Sequence, residues 1–170
     1  RQKAREEQLA KEQAAAAEGR QVDDTLLRHG LYPHMRADVV LIEGAGGLFS
    51  PLSHQTLNAD LARDFQLPLV IVDNSRLGAI GRTLTAVTAA ESVGLTVSAV
   101  VLSQSESGHY GGNQKPESPE VIARQSQEEL QRRLPHIVVC GLGHDASTIE
   151  PFVEWQAIAA QLHMPSKLQP

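Results

Sequence analysis

A single cysteine, Cys140, leaves this 170-residue chain without any possible internal disulfide. That suits a reducing cytoplasm, where the protein is expected to reside. Aromatic residues make up only 4% of the chain, so Leu, Val, Ile and Ala must build the core. No apolar run approaches the ~18–20 residues of a membrane span, and none is expected. Positive charge is not in excess: the formal net charge is -5 and the pI about 5.8. A basic nucleic-acid footprint is therefore absent, and no nucleic-acid partner is expected. Lysine occurs only at Lys3, Lys11, Lys115 and Lys167, and none follows a glycine loop after a strand. The chain thus contains no Gly-x-x-x-x-Gly-Lys-Ser/Thr and cannot by itself form a standard phosphate-binding loop. Paired Cys/His sets with zinc spacing are missing, as is a Gly-x-Ser-x-Gly elbow.

What is present is a 41% apolar content, enough for a sizeable core in one domain. Residues 4–18 are Ala, Glu, Gln, Lys and Arg with one Leu, all strong helix formers. Residues 1–19 therefore read as a charged N-terminal helix closed by Gly19, and residues 20–170 as a single α/β domain. Asp23 and Asp24 precede Thr25-Leu26-Leu27, as negative charges should at the start of a short helix. Four short β-branched runs read as buried strands: 39–42, 69–72, 97–102 and 137–140. Helix-like stretches lie at 58–65, 80–93, 119–134 and 152–162. Residues 106–118, rich in Gly, Ser, His, Asn and Pro, read as a mobile loop. Strand–helix alternation predicts right-handed βαβ units and a parallel sheet with helices on both faces, a Rossmann-like three-layer α/β fold. In such sheets ligands bind beyond the carboxyl ends of the strands.

Four segments occupy those ends. Glu43-Gly44-Ala45-Gly46-Gly47 follows the first run. A carboxylate there can hold Mg²⁺ directly or through water, and small neighbours let a ligand approach the backbone. The competing reading is a tight turn whose Glu pairs with an Arg. Asp73-Asn74-Ser75-Arg76-Leu77-Gly78 follows the second run and leads into a long helix. Arg76 and Arg82 can reach a carboxylate or phosphate there, although ordinary turn chemistry is the better reading for Arg82. Ser103-Gln104 follows the third run, and Gly141-Leu142-Gly143-His144-Asp145 the fourth; both offer polar contacts to a base or ribose. Adjacent residues seldom face each other, which argues against a catalytic His144–Asp145 pairing. Cys140 ends an apolar strand and reads as a small buried hydrophobe.

The stretch 38–53, Asp-Val-Val-Leu-Ile-Glu-Gly-Ala-Gly-Gly-Leu-Phe-Ser-Pro-Leu-Ser, resembles the central motif of dethiobiotin synthetase. Asn58-Ala59-Asp60-Leu61-Ala62, Leu67-Pro68-Leu69-Val70-Ile71-Val72, Leu77-Gly78-Ala79-Ile80 and Thr83-Leu84-Thr85 continue the resemblance in order, over roughly residues 20–160. The resemblance implies a P-loop-type α/β fold, a homodimer, and the cofactors ATP and Mg²⁺. It implies ATP-dependent closure of the ureido ring of dethiobiotin from 7,8-diaminopelargonic acid and CO₂. It assigns Glu43 to the metal and Gly44, Ala45 and Gly46 to the nucleotide's surroundings. It places Ser103 and Gln104, then Gly143, His144 and Asp145, on the adenine side, with Glu150 near the ribose.

The family's phosphate-binding loop and lysine lie before the matched region. No catalytic residue is thus expected in this chain, the domain is expected to be incomplete relative to the family, and the isolated 170 residues are expected to be inactive. The chain departs from the family at Ser103-Gln104, where Asn is usual, at residues 141–145, where a Pro-containing turn is usual, and at Gly81, where Asn is usual. Three functions follow as alternatives. One is the C-terminal part of a working cyclo-ligase. Another is a non-catalytic nucleotide-binding or scaffold relative. The third is another ATP-dependent amidating or partition-type family with the same sheet.

Overall fold

The computed structural model describes residues 22–34, 36–104 and 119–160. The charged helix expected at 4–18, the loop at 106–118 and the end of the last helix lie outside the described residues. The chain forms two compact units, Arg1–Leu61 and Ala62–Pro170.

In the first unit the described elements begin with helix α1, Asp24–His29. Asp23 is its N-cap, its carboxylate accepting the Thr25 N–H at 2.8 Å, as the paired aspartates suggested. A single 3₁₀ turn, Tyr32–His34, follows, with Tyr32 stacked on His29. The strand expected at 39–42 does not form. Those residues are irregular, and all but the half-buried Val40 are exposed, Leu41 being 89% exposed. An apolar run becomes a strand only when a neighbour hydrogen-bonds to it, and no strand is assigned to these residues. Helix α2, Asn58–Phe65, has the bounds its pattern predicted and runs across the division between the units. Its start is reinforced by Asp60, whose carboxylate accepts the Leu57 N–H at 2.9 Å.

The second unit is a four-stranded sheet in the order β1 (Leu69–Asn74), β2 (Val97–Ser103), β3 (Val138–Leu142) and β4 (Ile149–Glu150). The first three strands are parallel, as expected. The short β4 adds an antiparallel edge on β3, pairing Glu150 with Gly141 and Ile149 with Leu142. A two-residue strand ahead of a proline carries no readable periodicity.

Helix α3, Ala79–Ser92, crosses from β1 to β2, and α4, Pro119–Arg133, lies between β2 and β3. The buried positions of α3 are Ala79, Thr83, Val87 and Ala90, spaced as one helical face. Small residues there let α3 pack closely on β1, β2 and α4. Val100, Leu102 and Val139 are fully buried, as are Val87 and Leu130 from the helices. On alternate strand positions, Val101 and Cys140 join Val153, with Val70, Leu142, Ile149 and Ile158 packed around them. Ile158 belongs to α5, Trp155–Ala160, whose residues thus add to this second apolar cluster.

Candidate functional site

The glycine loop after Glu43 is folded around Asn58. The Asn58 Nδ2 donates to the carbonyl of Ala45 at 2.8 Å and of Gly47 at 2.9 Å, with Ser50 O at 3.5 Å. Backbone bonds complete the strap: Asn58 N–H to Ser50 O at 3.1 Å and Ala59 N–H to Leu48 O at 2.9 Å. Inside the loop, Ser50 Oγ accepts the Gly47 N–H at 2.8 Å. Gly46 has φ +83°, and a Cβ there would stand 2.5 Å from Ser50 Oγ. A Cβ on Gly44 would stand 2.8 Å from Asn58 Oδ1. Gly44 and Gly46 are therefore required by the chain's own side chains, whatever else approaches them. Glu43 itself is exposed and makes no hydrogen bond or ion pair among the described residues, so no described arginine pairs with it. Asn58 escaped the sequence reading because an Asn before Asp60 signals only a helix start.

The loop's far end is tied to α1. Asp24 accepts hydrogen bonds from the hydroxyls of Ser53 and Thr56, the latter at 2.6 Å. Ser53 Oγ in turn accepts the N–H groups of Gln55 and Thr56, at 3.1 and 3.0 Å. The Ser53 hydroxyl first, then that of Thr56, and more weakly Arg28 and His54, hold the Asp24 carboxyl below its ordinary range against a desolvation effect.

In the second unit the carboxyl ends of three parallel strands form a hydrogen-bonded rim. Ser75 N–H donates to Ser103 O at 3.1 Å, and Gln104 N–H to Leu142 O at 2.9 Å. His144 N–H donates to Gln104 Oε1 at 3.2 Å. The β2 and β3 ends that carry Ser103, Gln104, Gly143, His144 and Asp145 are thus neighbours in the sheet. The His144 ring and the Asp145 carboxylate do face each other, Nδ1 to Oδ2 at 3.0 Å. Asp145 adopts a left-handed turn conformation, φ 56°, so the usual divergence of neighbouring side chains does not apply. Glu150 lies in β4, its carbonyl accepting Gln127 Nε2 at 3.0 Å. Gln127 also donates to Val139 O at 3.1 Å, and Gln131, one turn on, brackets Val139 N–H and Ile137 O. Neither glutamine could be singled out from sequence, where both read as solvated helix residues.

Arg82 performs turn chemistry, as expected. Its Nε meets both Asp73 oxygens at 3.2 and 3.1 Å, and its Nη atoms donate to Leu77 O and Asn74 O. The β1–α3 loop is thereby closed over the start of the helix. Cys140 is fully buried, donating to Val100 O at 3.3 Å, and burial pushes its thiol pKa up. Among the described residues no three His, Cys, Asp or Glu side chains gather into a metal cage. No described helix is long and apolar enough to cross a membrane.

A family model described as an AAA domain matches residues 4–140. Among curated proteins, the ATP-dependent dethiobiotin synthetase BioD of Gloeobacter violaceus is 37% identical over 154 residues, 89% of this chain and 62% of that protein. The BioD of Anaeromyxobacter sp. is 36% identical over 130 residues, 76% of this chain and 57% of its own length. That of Phenylobacterium zucineum is 48% identical over 69 residues, 41% of this chain and 30% of its own. The chain therefore spans less than two thirds of each of these relatives. A mainly parallel sheet flanked by helices, a family match over most of the sequence and these likenesses agree: the chain belongs to the AAA-domain family and, as its central motif indicated, is similar to the dethiobiotin synthetases.

Proposed function

We propose that this chain is part of an ATP-dependent cyclo-ligase that closes the ureido ring of dethiobiotin from 7,8-diaminopelargonic acid and CO₂. The observation that carries this reading is the ordered glycine loop that leaves the Glu43 carboxylate exposed and unpaired among the described residues. In the reaction, one substrate amine takes up CO₂ as a carbamate, ATP phosphorylates it, and the second amine displaces phosphate. Most of the acceleration comes from positioning and charge neutralisation.

A single exposed carboxylate suits Mg²⁺, which keeps several waters and shares its shell with phosphates. Glu43 would hold it, and when bound it neutralises developing phosphate charge. Gly44, Ala45 and Gly46 keep the adjoining backbone close and unobstructed. At the sheet rim, Gln104 orders the β3–β4 loop, and His144 and Asp145 offer polar groups to the base. Glu150 is assigned to the ribose. The protein is read as a cytoplasmic homodimer.

The test uses the protein expressed from its complete reading frame. With diaminopelargonic acid, bicarbonate, ATP and Mg²⁺ it should release phosphate; a folded protein that releases none would refute the reading. Glu43→Gln should cut Mg²⁺-dependent turnover far more than it lowers the melting temperature.

Gln104 in place of Asn, and Gly141-Leu142-Gly143-His144-Asp145 in place of a Pro-containing turn, favour a second reading, a nucleotide-binding or scaffold relative without turnover. Nucleotide binding without phosphate release in the same assay would select it.

A further inference from the structure

We propose that Asn58 is a positioning residue for Glu43, holding the glycine loop on one path so that the carboxylate meets Mg²⁺·ATP from a fixed direction. The proposal rests on the reading of Glu43 given above. Residues 41–44, 46 and 47 are exposed, so packing contributes little to the order of this segment. Side-chain-to-backbone bonds must supply it. Asn58 has two amide hydrogens, and two carbonyls of the loop lie within 2.9 Å of its Nδ2. Its Oδ1 faces Gly44, the residue next to Glu43, with room for a hydrogen but not for a methyl. Asn58 is itself the first residue of α2, so the anchor is a regular helix rather than another loop. Ser50 braces the same turn by accepting the Gly47 N–H at 2.8 Å. A ligand carboxylate held this way has fewer orientations to lose on binding a cation, the usual effect of residues that support a metal ligand.

The experiment measures Mn²⁺ binding by electron paramagnetic resonance, with ATP present, in the protein from its complete reading frame. Melting temperatures are taken without metal. Asn58→Ala should weaken Mn²⁺ binding about tenfold or more, the usual range for such supporting residues. The Mg²⁺ concentration for half-maximal phosphate release should rise in proportion. Ser50→Ala should shift both the same way, by less. Gly44→Ala should weaken Mn²⁺ binding in the parent but add little in Asn58→Ala, because the atom it collides with is then gone. Mn²⁺ affinity within twofold of the parent, alongside a lower melting temperature, would reduce Asn58 to a structural residue and overturn the proposal; so would additive effects of Gly44→Ala and Asn58→Ala. Should Asn58→Ala not fold, Ser50→Ala decides by the same affinity criterion. A parent protein that binds no Mn²⁺ with ATP defeats the reading of Glu43 before any substitution is made.

Discussion

Glu129 of α4 carries two arginines, Arg132 at 2.8 Å and Arg133 one position on. Hydrogen bonds from Arg132 and then Arg133 hold its carboxyl at about 2, against an ordinary 4.5. The folded-state pKa lies below the unfolded one. The pairing therefore stabilises the fold above pH 4.5 and ceases to do so as pH falls towards about 2. Glu129→Gln should lower the melting temperature slightly at pH 7 and make no difference near pH 2, which melting curves across that window would check. The effect is small because the group is exposed and screened. Asp24 behaves with the same sign, and its bonds to Ser53 and Thr56 have no equal substitute. Asp24→Ala should leave two hydroxyls without their acceptor and speed amide exchange at residues 53–56 at neutral pH. Exchange rates equal to the parent's would show that α1 does not hold this turn.

Helix α4 is bound to the sheet in two ways, and each can be removed separately. Leu130 of α4 is fully buried. Leu130→Ala should cost about 2–5 kcal/mol, the range for a buried leucine that leaves a cavity, as measured by denaturant unfolding. Gln127 works on the backbone instead, joining the Val139 and Glu150 carbonyls of β3 and β4. Gln127→Leu should leave the core intact and speed amide exchange at residues 141–150, because a two-residue strand has little else to hold it. Element bounds were largely legible: α2 and the cores of β1, β2, β3, α3 and α4 followed from apolar periodicity and glycine or proline punctuation. The run at 39–42 shows the limit. Its composition is that of a buried strand, yet ladder formation depends on a neighbour that composition does not report.

For the molecule as a whole, the two compact units divide the candidate residues. Glu43 to Gly46 lie in Arg1–Leu61, and Ser103, Gln104, Gly143 to Asp145 and Glu150 in Ala62–Pro170. Neither unit contains a Gly-x-x-x-x-Gly-Lys-Ser/Thr, because the sequence has none. The 170-residue chain by itself should therefore show negligible Mg²⁺-dependent ATP hydrolysis, since phosphate-loop amides and a lysine are what hold a triphosphate. A phosphate-release assay on the isolated chain checks this, and turnover well above background would contradict it.

The sequence alone determined the α/β class, the parallel direction of the three longer strands and the family resemblance. These depend on local periodicity and on short motifs such as Glu43-Gly44-Ala45-Gly46-Gly47, which are written in consecutive residues. It also placed Ser103, Gln104 and residues 143–145 at the carboxyl ends of their strands; that the two strands are neighbours is a property of the folded sheet. Tertiary structure alone decided what holds those segments. Asn58 reaches back 13 residues to Ala45, Gln127 reaches 23 residues to Glu150, and Gln104 reaches 40 to His144. Each is a polar side chain answering a backbone group that solvent would otherwise satisfy. Such pairings follow from where the folded backbone leaves its donors and acceptors, and no linear spacing encodes that.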